Sequence, residues 1–108
     1  MDHKTSLNPQ IYTEVLHYSK LLKHAGIHSM KIIVFGSHAK GTSKPWSDVD
    51  VCVVSDEFGK NRHSERVRLM QIKDDQTLDI EPHPFNPQDL NNPWDSLARE
   101  IKKYGIHI

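Results

Sequence analysis

Apolar residues recur three or four positions apart near the start of the chain and merge into continuous runs further on. In "NPQIYTEVLHYSKLLKHAG", Asn8 is a typical helix cap, Pro9 suits the first helical position, and Gly26 is typical of a C-terminal cap. This pattern predicts a first helix. The run "MKIIVFG" is continuously apolar, which is typical of a strand covered on both faces. "DVDVCVVS" predicts a second strand.

The rest of the chain alternates between short elements and proline-rich connections. "SHAKG" predicts a short helical turn, "TSKPWS" a loop, and "RHSERVRLMQIKDD" a helix with Val67, Met70 and Ile72 on its apolar side. "QTLDIEPHPF" alternates like a strand until its prolines, which are expected to stop ladder pairing. "NPQDLNNPW" is read as a connector and "IHI" as a final edge strand. A last helix, in "WDSLAREIKKYG", is predicted to have an apolar stripe of Trp94, Leu97, Ile101 and Tyr104. This order predicts a small α/β layer fold.

Composition narrows the class of protein. The 108 residues fit one domain spanning 1–108, and an apolar content of 36% implies a modest core. The 14 basic and 14 acidic residues cancel, which disfavours direct nucleic-acid binding through a broad basic field. Cys52 is the one cysteine, so no internal disulfide forms, and it is expected in the core. The eight histidines lack zinc-ligand spacing, and most of them are expected at the surface. The polar N-terminus and the lack of a long apolar run predict a cytoplasmic protein with no membrane association.

Two aspartates open the second predicted strand. Alternation places Asp48 and Asp50 on one face, where two like charges repel each other unless a cation compensates them. Carboxylate oxygens suit magnesium, which keeps coordination positions open for water and substrate phosphates. Two such ions can stabilise the attacking and leaving oxygens of a phosphoryl or nucleotidyl transfer.

The turn after the first strand offers groups that bind phosphate. Gly36 allows the backbone to come close to a phosphate, and a helical turn after it would present N–H groups. The hydroxyl of Ser37 can donate to a phosphate oxygen, and Lys40 and Lys44 can neutralise further charge.

These features in one order resemble a known family. "GSHAKGTSKPWSDVD" has Gly36 and Ser37, ten intervening residues, and then Asp48 and Asp50. The pattern resembles the signature of the minimal nucleotidyltransferases of the DNA polymerase beta superfamily, as do "VFGSHAKG", "SDVDVCVVSD", "ERVRLM", "IEPHPF" and "EIKKYGIHI". The resemblance implies an α/β (α+β) fold, with a small mixed sheet flanked by helices. His38 and Lys40 depart from it, because relatives often carry arginine at both positions.

The resemblance also implies a third carboxylate on a neighbouring strand. "TLDIEP" offers Asp79 and Glu81, which alternation places on one face. Asp79 is nearer the start of a strand expected to run parallel to the second strand. Glu81 has the longer reach and lies in the stretch that resembles the relatives, so Glu81 is favoured and Asp79 is the alternative. The expected metal ligands are Asp48, Asp50 and Glu81.

The resemblance implies a Mg²⁺-dependent enzyme that uses two ions and transfers a nucleoside monophosphate, AMP from ATP, to a hydroxyl of a partner protein. Stand-alone domains of this family resemble antitoxins of helical HEPN-type toxins, so such a toxin is the expected partner in a hetero-oligomer, and a homo-oligomer is the other arrangement considered. The alternative is a binding module that neutralises its partner by contact alone, with weak or absent catalysis. His38 in place of arginine makes that alternative credible.

Overall fold

The computed structural model describes residues 7–108 of the chain. Its elements, in chain order, are α1 (Pro9–His24), β1 (Lys31–Phe35), α2 (Ser37–Lys40), β2 (Val49–Val54), α3 (Arg62–Ile72), β3 (Ile80–Phe85), α4 (Pro87–Leu90), α5 (Ser96–Tyr104) and β4 (Ile106–His107). None of the helices in this part of the chain is long and apolar enough to cross a membrane.

The strands form one mixed sheet with the order β3-β2-β1-β4. β1 pairs antiparallel with both β2 and β4, whereas β3 runs parallel to β2 because α3 connects them by a crossover. The predicted α/β fold, with a small mixed sheet flanked by helices, is therefore confirmed, as is the prediction that "IHI" pairs at an edge. This arrangement is consistent with the polymerase-beta-like fold that the sequence resembles.

Alternating residues of the central strands bury two separate clusters. On one face, α1 and α3 cover the strands with a cluster that includes Val15, Tyr18, Leu22, Val49, Val51 and Leu69. On the other face, α4 and α5 cover a cluster that includes Phe35, Cys52, Phe85, Leu90, Ala98 and Ile101. Cys52 is fully buried, as predicted, and burial raises the pKa of its thiol to about 12. Both faces of β1 and β2 are covered, as the continuous apolar pattern of β1 indicates.

The ends of α1 follow the predicted signals. The Asn8 side chain accepts a hydrogen bond from the backbone N–H of Gln10 at 2.8 Å, with Pro9 in the first turn. Gly26 has a φ of +82°, and its N–H donates to the carbonyl of Lys23. The next N–H, of Ile27, donates to the carbonyl of Leu22 at 3.0 Å, which completes a Schellman cap.

The apolar side predicted for α3 is wrong at Val67 and Met70 and correct at Ile72, which packs against the core. Val67 and Met70 are each 41% exposed, and the buried residue is Leu69. Inward-facing positions follow the spacing Glu65, Leu69, Ile72, which turns Val67 and Met70 toward solvent. Only this side of α3 contacts the sheet and α1, so two apolar residues remain on the outer surface.

The stripe predicted for the last helix is also partly wrong. Asp95 caps α5 by accepting from the N–H groups of Leu97 and Ala98, so Trp94 precedes the helix and is 91% exposed. Ala98 and Ile101 are buried, whereas Tyr104 is exposed. The preceding "connector" contains α4, a single turn in which the Asn86 side chain accepts a hydrogen bond from the N–H of Asp89.

The prolines of β3 do not stop its pairing, contrary to the prediction. Pairing with β2 continues through Pro82 and Pro84 to Phe85. The carbonyls of Asp79 and Phe85 accept from backbone N–H groups at the two ends of β2, whereas the carbonyl of Ile80 points outward and accepts from the Lys73 ammonium at 2.7 Å. The backbones of Pro82 and Pro84 face the same way as that of Ile80, toward the open edge of the sheet. Their lack of an N–H group therefore removes no hydrogen bond to β2.

Candidate active site

Asp50 and Glu81 lie side by side on neighbouring strands. They are partners in the parallel register of β2 and β3, on the face covered by α4 and α5. His83 lies two residues further along β3, on the same face. Ligand atoms of the three side chains all lie within 4.8 Å of one another, and each side chain is half-buried. The sheet therefore brings two carboxylates and an imidazole together without help from a loop.

Neighbouring groups compensate the two like charges. The guanidinium of Arg66, on α3, donates to Glu81 Oε1 at 2.5 Å. His83 Nε2 lies 3.3 Å from Asp50 Oδ1, where the tautomer protonated on Nε2 donates to the carboxylate. The ring of Phe35 packs edge-on against the imidazole, with 5.1 Å between ring centroids, and fixes its position. Each carboxylate thus has a donor, which lowers the cost of half-burying both.

Gly36 packs directly against Asp50. Its backbone has a φ of +75° and a ψ of −152°, a region that essentially only glycine occupies. A Cβ built at this position would overlap Asp50 Oδ2, so a side chain cannot be added without moving the carboxylate. The glycine therefore allows the end of β1 to approach the candidate ligand itself, in addition to the predicted approach of a phosphate.

The helical turn predicted after Gly36 is present as α2. N–H groups of Ala39 and Lys40 donate to the carbonyl of Gly36, while Ser37 occupies the first helical position. His38, where relatives often carry arginine, places Nε2 3.3 Å from the carbonyl oxygen of Ser47. This contact ties the turn to the loop that leads into Asp48.

The two predicted phosphate-binding lysines differ in their surroundings. Lys40 has partners on α5: its ammonium lies 3.3 Å from Glu100 Oε1 and 5.3 Å from the centroid of the Tyr104 ring. Lys44 is exposed in the loop, where its backbone N–H donates to Ser47 Oγ at 2.8 Å. A role for Lys40 at a phosphate requires it to leave its partners on α5, whereas the Lys44 side chain is exposed to solvent.

Asp48 and Asp79 lie outside the group formed by Asp50, Glu81 and His83. Asp48 is exposed and immediately precedes β2, while Asp79 is exposed in the turn before β3, where strand alternation does not apply. The Asp79 carboxylate interacts electrostatically with Glu14 on α1: burial raises the pKa of Glu14, and the charge of Asp79 raises it further. Between the two candidates for the third carboxylate, the structure thus brings Glu81, and not Asp79, to Asp50.

A family model described as a nucleotidyltransferase domain matches residues 18–107, from the middle of α1 to β4. The chain belongs to this family. The match supports a transferase that moves a nucleoside monophosphate, and it includes the glycine–serine turn and all the candidate carboxylates. No curated protein matches the sequence.

The donor set of this nucleotidyltransferase domain fits a divalent cation. Asp50 and Glu81 supply the hard oxygen ligands that Mg²⁺ prefers, and Asp48 is two positions from Asp50 on an exposed segment. Imidazole is a less favoured ligand for Mg²⁺, so His83 is better suited to orienting Asp50 through its hydrogen bond. Because Arg66 donates to Oε1 of Glu81, the ion pair must open for both oxygens of Glu81 to serve as ligands.

Two residues of this site, His83 and Arg66, were not predicted from the sequence. His83 had a usable signal, because alternation in "EPHP" places it on the same face as Glu81. The prolines on either side of His83 hide that signal, because proline usually ends strand pairing. Arg66 had no local signal, since its contact with Glu81 joins residues fifteen positions apart through the packing of α3 on β3.

Proposed function

We propose that the chain is a Mg²⁺-dependent nucleotidyltransferase that transfers AMP from ATP to a hydroxyl group of a partner protein. The observation that carries the proposal is the register pair Asp50–Glu81, with Gly36 packed against Asp50, in a chain of the nucleotidyltransferase domain family. We further propose that the partner is a helical HEPN-type toxin and that the chain is its antitoxin. The support for that partner is the resemblance of the sequence to stand-alone minimal domains.

Each side chain has a distinct role in the proposed reaction. Asp48, Asp50 and Glu81 would hold two Mg²⁺ ions, which when bound neutralise phosphate charge and activate the acceptor hydroxyl. Ser37 would donate to the β- and γ-phosphates at the start of α2, with Lys44 as a nearby cation. His83 would hold Asp50 in place, and Gly36 leaves room for its carboxylate.

The bond changes are those of an in-line displacement. The acceptor oxygen attacks the α-phosphorus, and the bond from that phosphorus to the bridging oxygen of the β-phosphate breaks. Pyrophosphate leaves with the electron pair of that bond. The acceptor proton passes to a carboxylate oxygen of Glu81, which is the basic group beside Asp50 on the β3 side.

Co-expression with the protein encoded by the neighbouring gene, followed by incubation with ATP labelled at the α-phosphate, tests the proposal. We expect the partner to become labelled only when Mg²⁺ is present. ATP labelled at the γ-phosphate instead should leave the partner unlabelled. The Asp50→Asn variant should lose the transfer. Label retained by Asp50→Asn, or transferred from the γ-position, would contradict the assignment.

A binding module that acts by contact alone is the second candidate, and one observation favours it. The ion pair between Arg66 and Glu81, at 2.5 Å, occupies a carboxylate that the chemistry requires. The two candidates differ in the phenotype of Asp50→Asn. If the chain acts by contact alone, the Asp50→Asn variant should still protect cells from the partner. If the chain neutralises the partner by modifying it, the variant should not protect them.

A further inference from the structure

A concave pocket of about 480 Å³ lies between α3 and β3, beside the carboxylate pair. Its lining includes Arg62, His63, Arg66 and His83, together with the ring of Phe85. The Arg62 guanidinium lies over that ring, 4.5 Å from its centroid. None of the lining residues, within the described range 7–108, is acidic. The pocket thus offers cations, one of them held over a buried aromatic ring, and their charge is opposite to that of the adjacent carboxylates.

The pocket lies on the opposite side of Asp50 from the proposed phosphate site. β1 leads into Ser37 on one side of β2, while β3 carries Glu81 on the other. In an in-line displacement, the attacking and leaving oxygens lie on opposite sides of the phosphorus. Because pyrophosphate would leave on the Ser37 side, the acceptor hydroxyl would approach from the β3 side, where the pocket lies.

We propose, on the basis of the function proposed above, that this pocket is the acceptor site and that it binds an acidic protein segment carrying the hydroxyl. Arg66 already holds a carboxylate, that of Glu81, at 2.5 Å. When Glu81 serves as a metal ligand, Arg66 exchanges that partner for a carboxylate of the acceptor. Arg62 provides a second cation, held over the buried ring of Phe85, and the partly buried Leu97 provides an apolar surface for the residue bearing the hydroxyl.

The neighbouring surface favours a protein over a nucleic acid. Exposed Val67 and Met70 line a second hollow of about 410 Å³ on α3, which shares His63 and Arg66 with the pocket. Exposed apolar side chains beside cations are typical of protein interfaces, whereas a polynucleotide needs an extended basic track. With 14 basic and 14 acidic residues, the chain has no net charge to supply such a field.

Fluorescence anisotropy with short labelled peptides, in the presence of Mg²⁺ and without nucleotide, tests this site. The probes are Glu-Asp-Tyr-Glu-Asp, its amide counterpart Gln-Asn-Tyr-Gln-Asn, and a single-stranded oligouridylate. We expect the acidic peptide to bind about tenfold more tightly than the amide peptide, and Arg62→Gln to weaken it about five- to tenfold. Arg68→Gln is the matched control, because Arg68 is exposed on the same helix and does not line the pocket. Thermal unfolding of both variants checks that they are folded.

Three outcomes would overturn the acidic-segment site. The first is equal affinity for the acidic and the amide peptide. The second is an equal loss of peptide affinity in Arg62→Gln and Arg68→Gln. The third is that only the oligouridylate binds and that Arg62→Gln abolishes this binding. The last outcome would assign the pocket to a nucleic acid. Because the peptides bind in the absence of ATP, the proposed transfer can fail separately. Peptide binding without label transfer from ATP would reject the transfer and retain the peptide site.

Discussion

Gly36 is placed so that its lack of a side chain determines the position of the Asp50 carboxylate. We expect Gly36→Ala to abolish Mg²⁺-dependent ATP binding, because the added Cβ overlaps Asp50 Oδ2 and because the backbone region costs about 1–3 kcal/mol for a non-glycine residue. Gly41 is the matched control, with a φ of +77° and open space around its Cβ position. Isothermal titration with Mg-ATP measures binding, and thermal unfolding measures stability.

Gly41→Ala should lose about 1–2 kcal/mol of stability from its left-handed backbone and retain ATP binding. Comparable ATP binding by both alanine variants would show that the contact between Gly36 and Asp50 does not shape the site.

The two candidates for the third carboxylate have different surroundings and therefore different expected phenotypes. Glu81 is the register partner of Asp50, whereas Asp79 is exposed in the turn before β3. With metal in excess, Glu81→Gln should lower the transfer rate by at least about a hundredfold, since the proposed metal ligand and proton acceptor is removed. Asp79→Asn should change it less than about threefold. The rate of label transfer from α-labelled ATP makes the comparison, and the reverse order of effects would move the site to Asp79.

The start of α3 depends on one carboxylate. Glu65 accepts hydrogen bonds from the N–H groups of Gly59, Lys60 and Asn61, at 3.0–3.2 Å. Burial alone would raise its pKa, but these donors outweigh burial and hold the pKa below the ordinary value of 4.5. This carboxylate therefore fixes the turn that positions Arg62 and the rest of α3 beside the active site.

We expect Glu65→Gln to lower the free energy of unfolding by about 0.5–1 kcal/mol at neutral pH, a small value because solvent screens the carboxylate. Since the folded pKa is depressed, the stabilisation is present above pH 4.5 and is lost as pH falls through the folded value. Urea unfolding across this range measures it. A difference between wild type and Glu65→Gln that stays constant below pH 4.5 would contradict the role of the charge.

Strands were easier to predict than helix faces, for physical reasons. The apolar runs of β1 and β2 leave one interpretation, and the crossover through α3 requires β3 to run parallel to β2. α3 has few apolar residues among many charged ones, so its sequence does not define one apolar face. The pattern therefore could not show that Leu69, and not Val67, faces the sheet. The sequence predicts too short a β3. Pro82 is compatible with pairing because β3 lies at the edge of the sheet, and the strand order is a property of the whole sheet that the local sequence does not show.

The candidate site was predictable to the extent that it follows from local sequence. Gly36, Ser37 and Asp50 belong to one continuous motif, and the structure places Gly36 against Asp50 as that motif requires. The contacts of Arg66 with Glu81 and of Lys40 with Glu100 join distant parts of the chain, so no local pattern could show them. These long-range partners determine how the charges are balanced before a metal binds.

At the scale of the whole molecule, two apolar clusters cover the sheet faces, and neither Asp48 nor Asp50 belongs to them, so both charges can be removed without removing a core contact. We expect the double variant Asp48→Asn, Asp50→Asn to remain folded, with an unchanged or higher melting temperature, because two like charges are neutralised. Neither substitution changes a residue of the two apolar clusters.

Thermal unfolding of wild type and of this double variant, each with and without Mg-ATP, tests most directly whether these carboxylates form a metal-dependent nucleotide site. Wild type should be stabilised by about 2.7 kcal/mol when Mg-ATP is present at a hundred times its dissociation constant, and ATP with a chelator should give no shift. The double variant should melt cooperatively and show no shift with Mg-ATP. An equal Mg-ATP shift in wild type and in the double variant would contradict the assignment of the site.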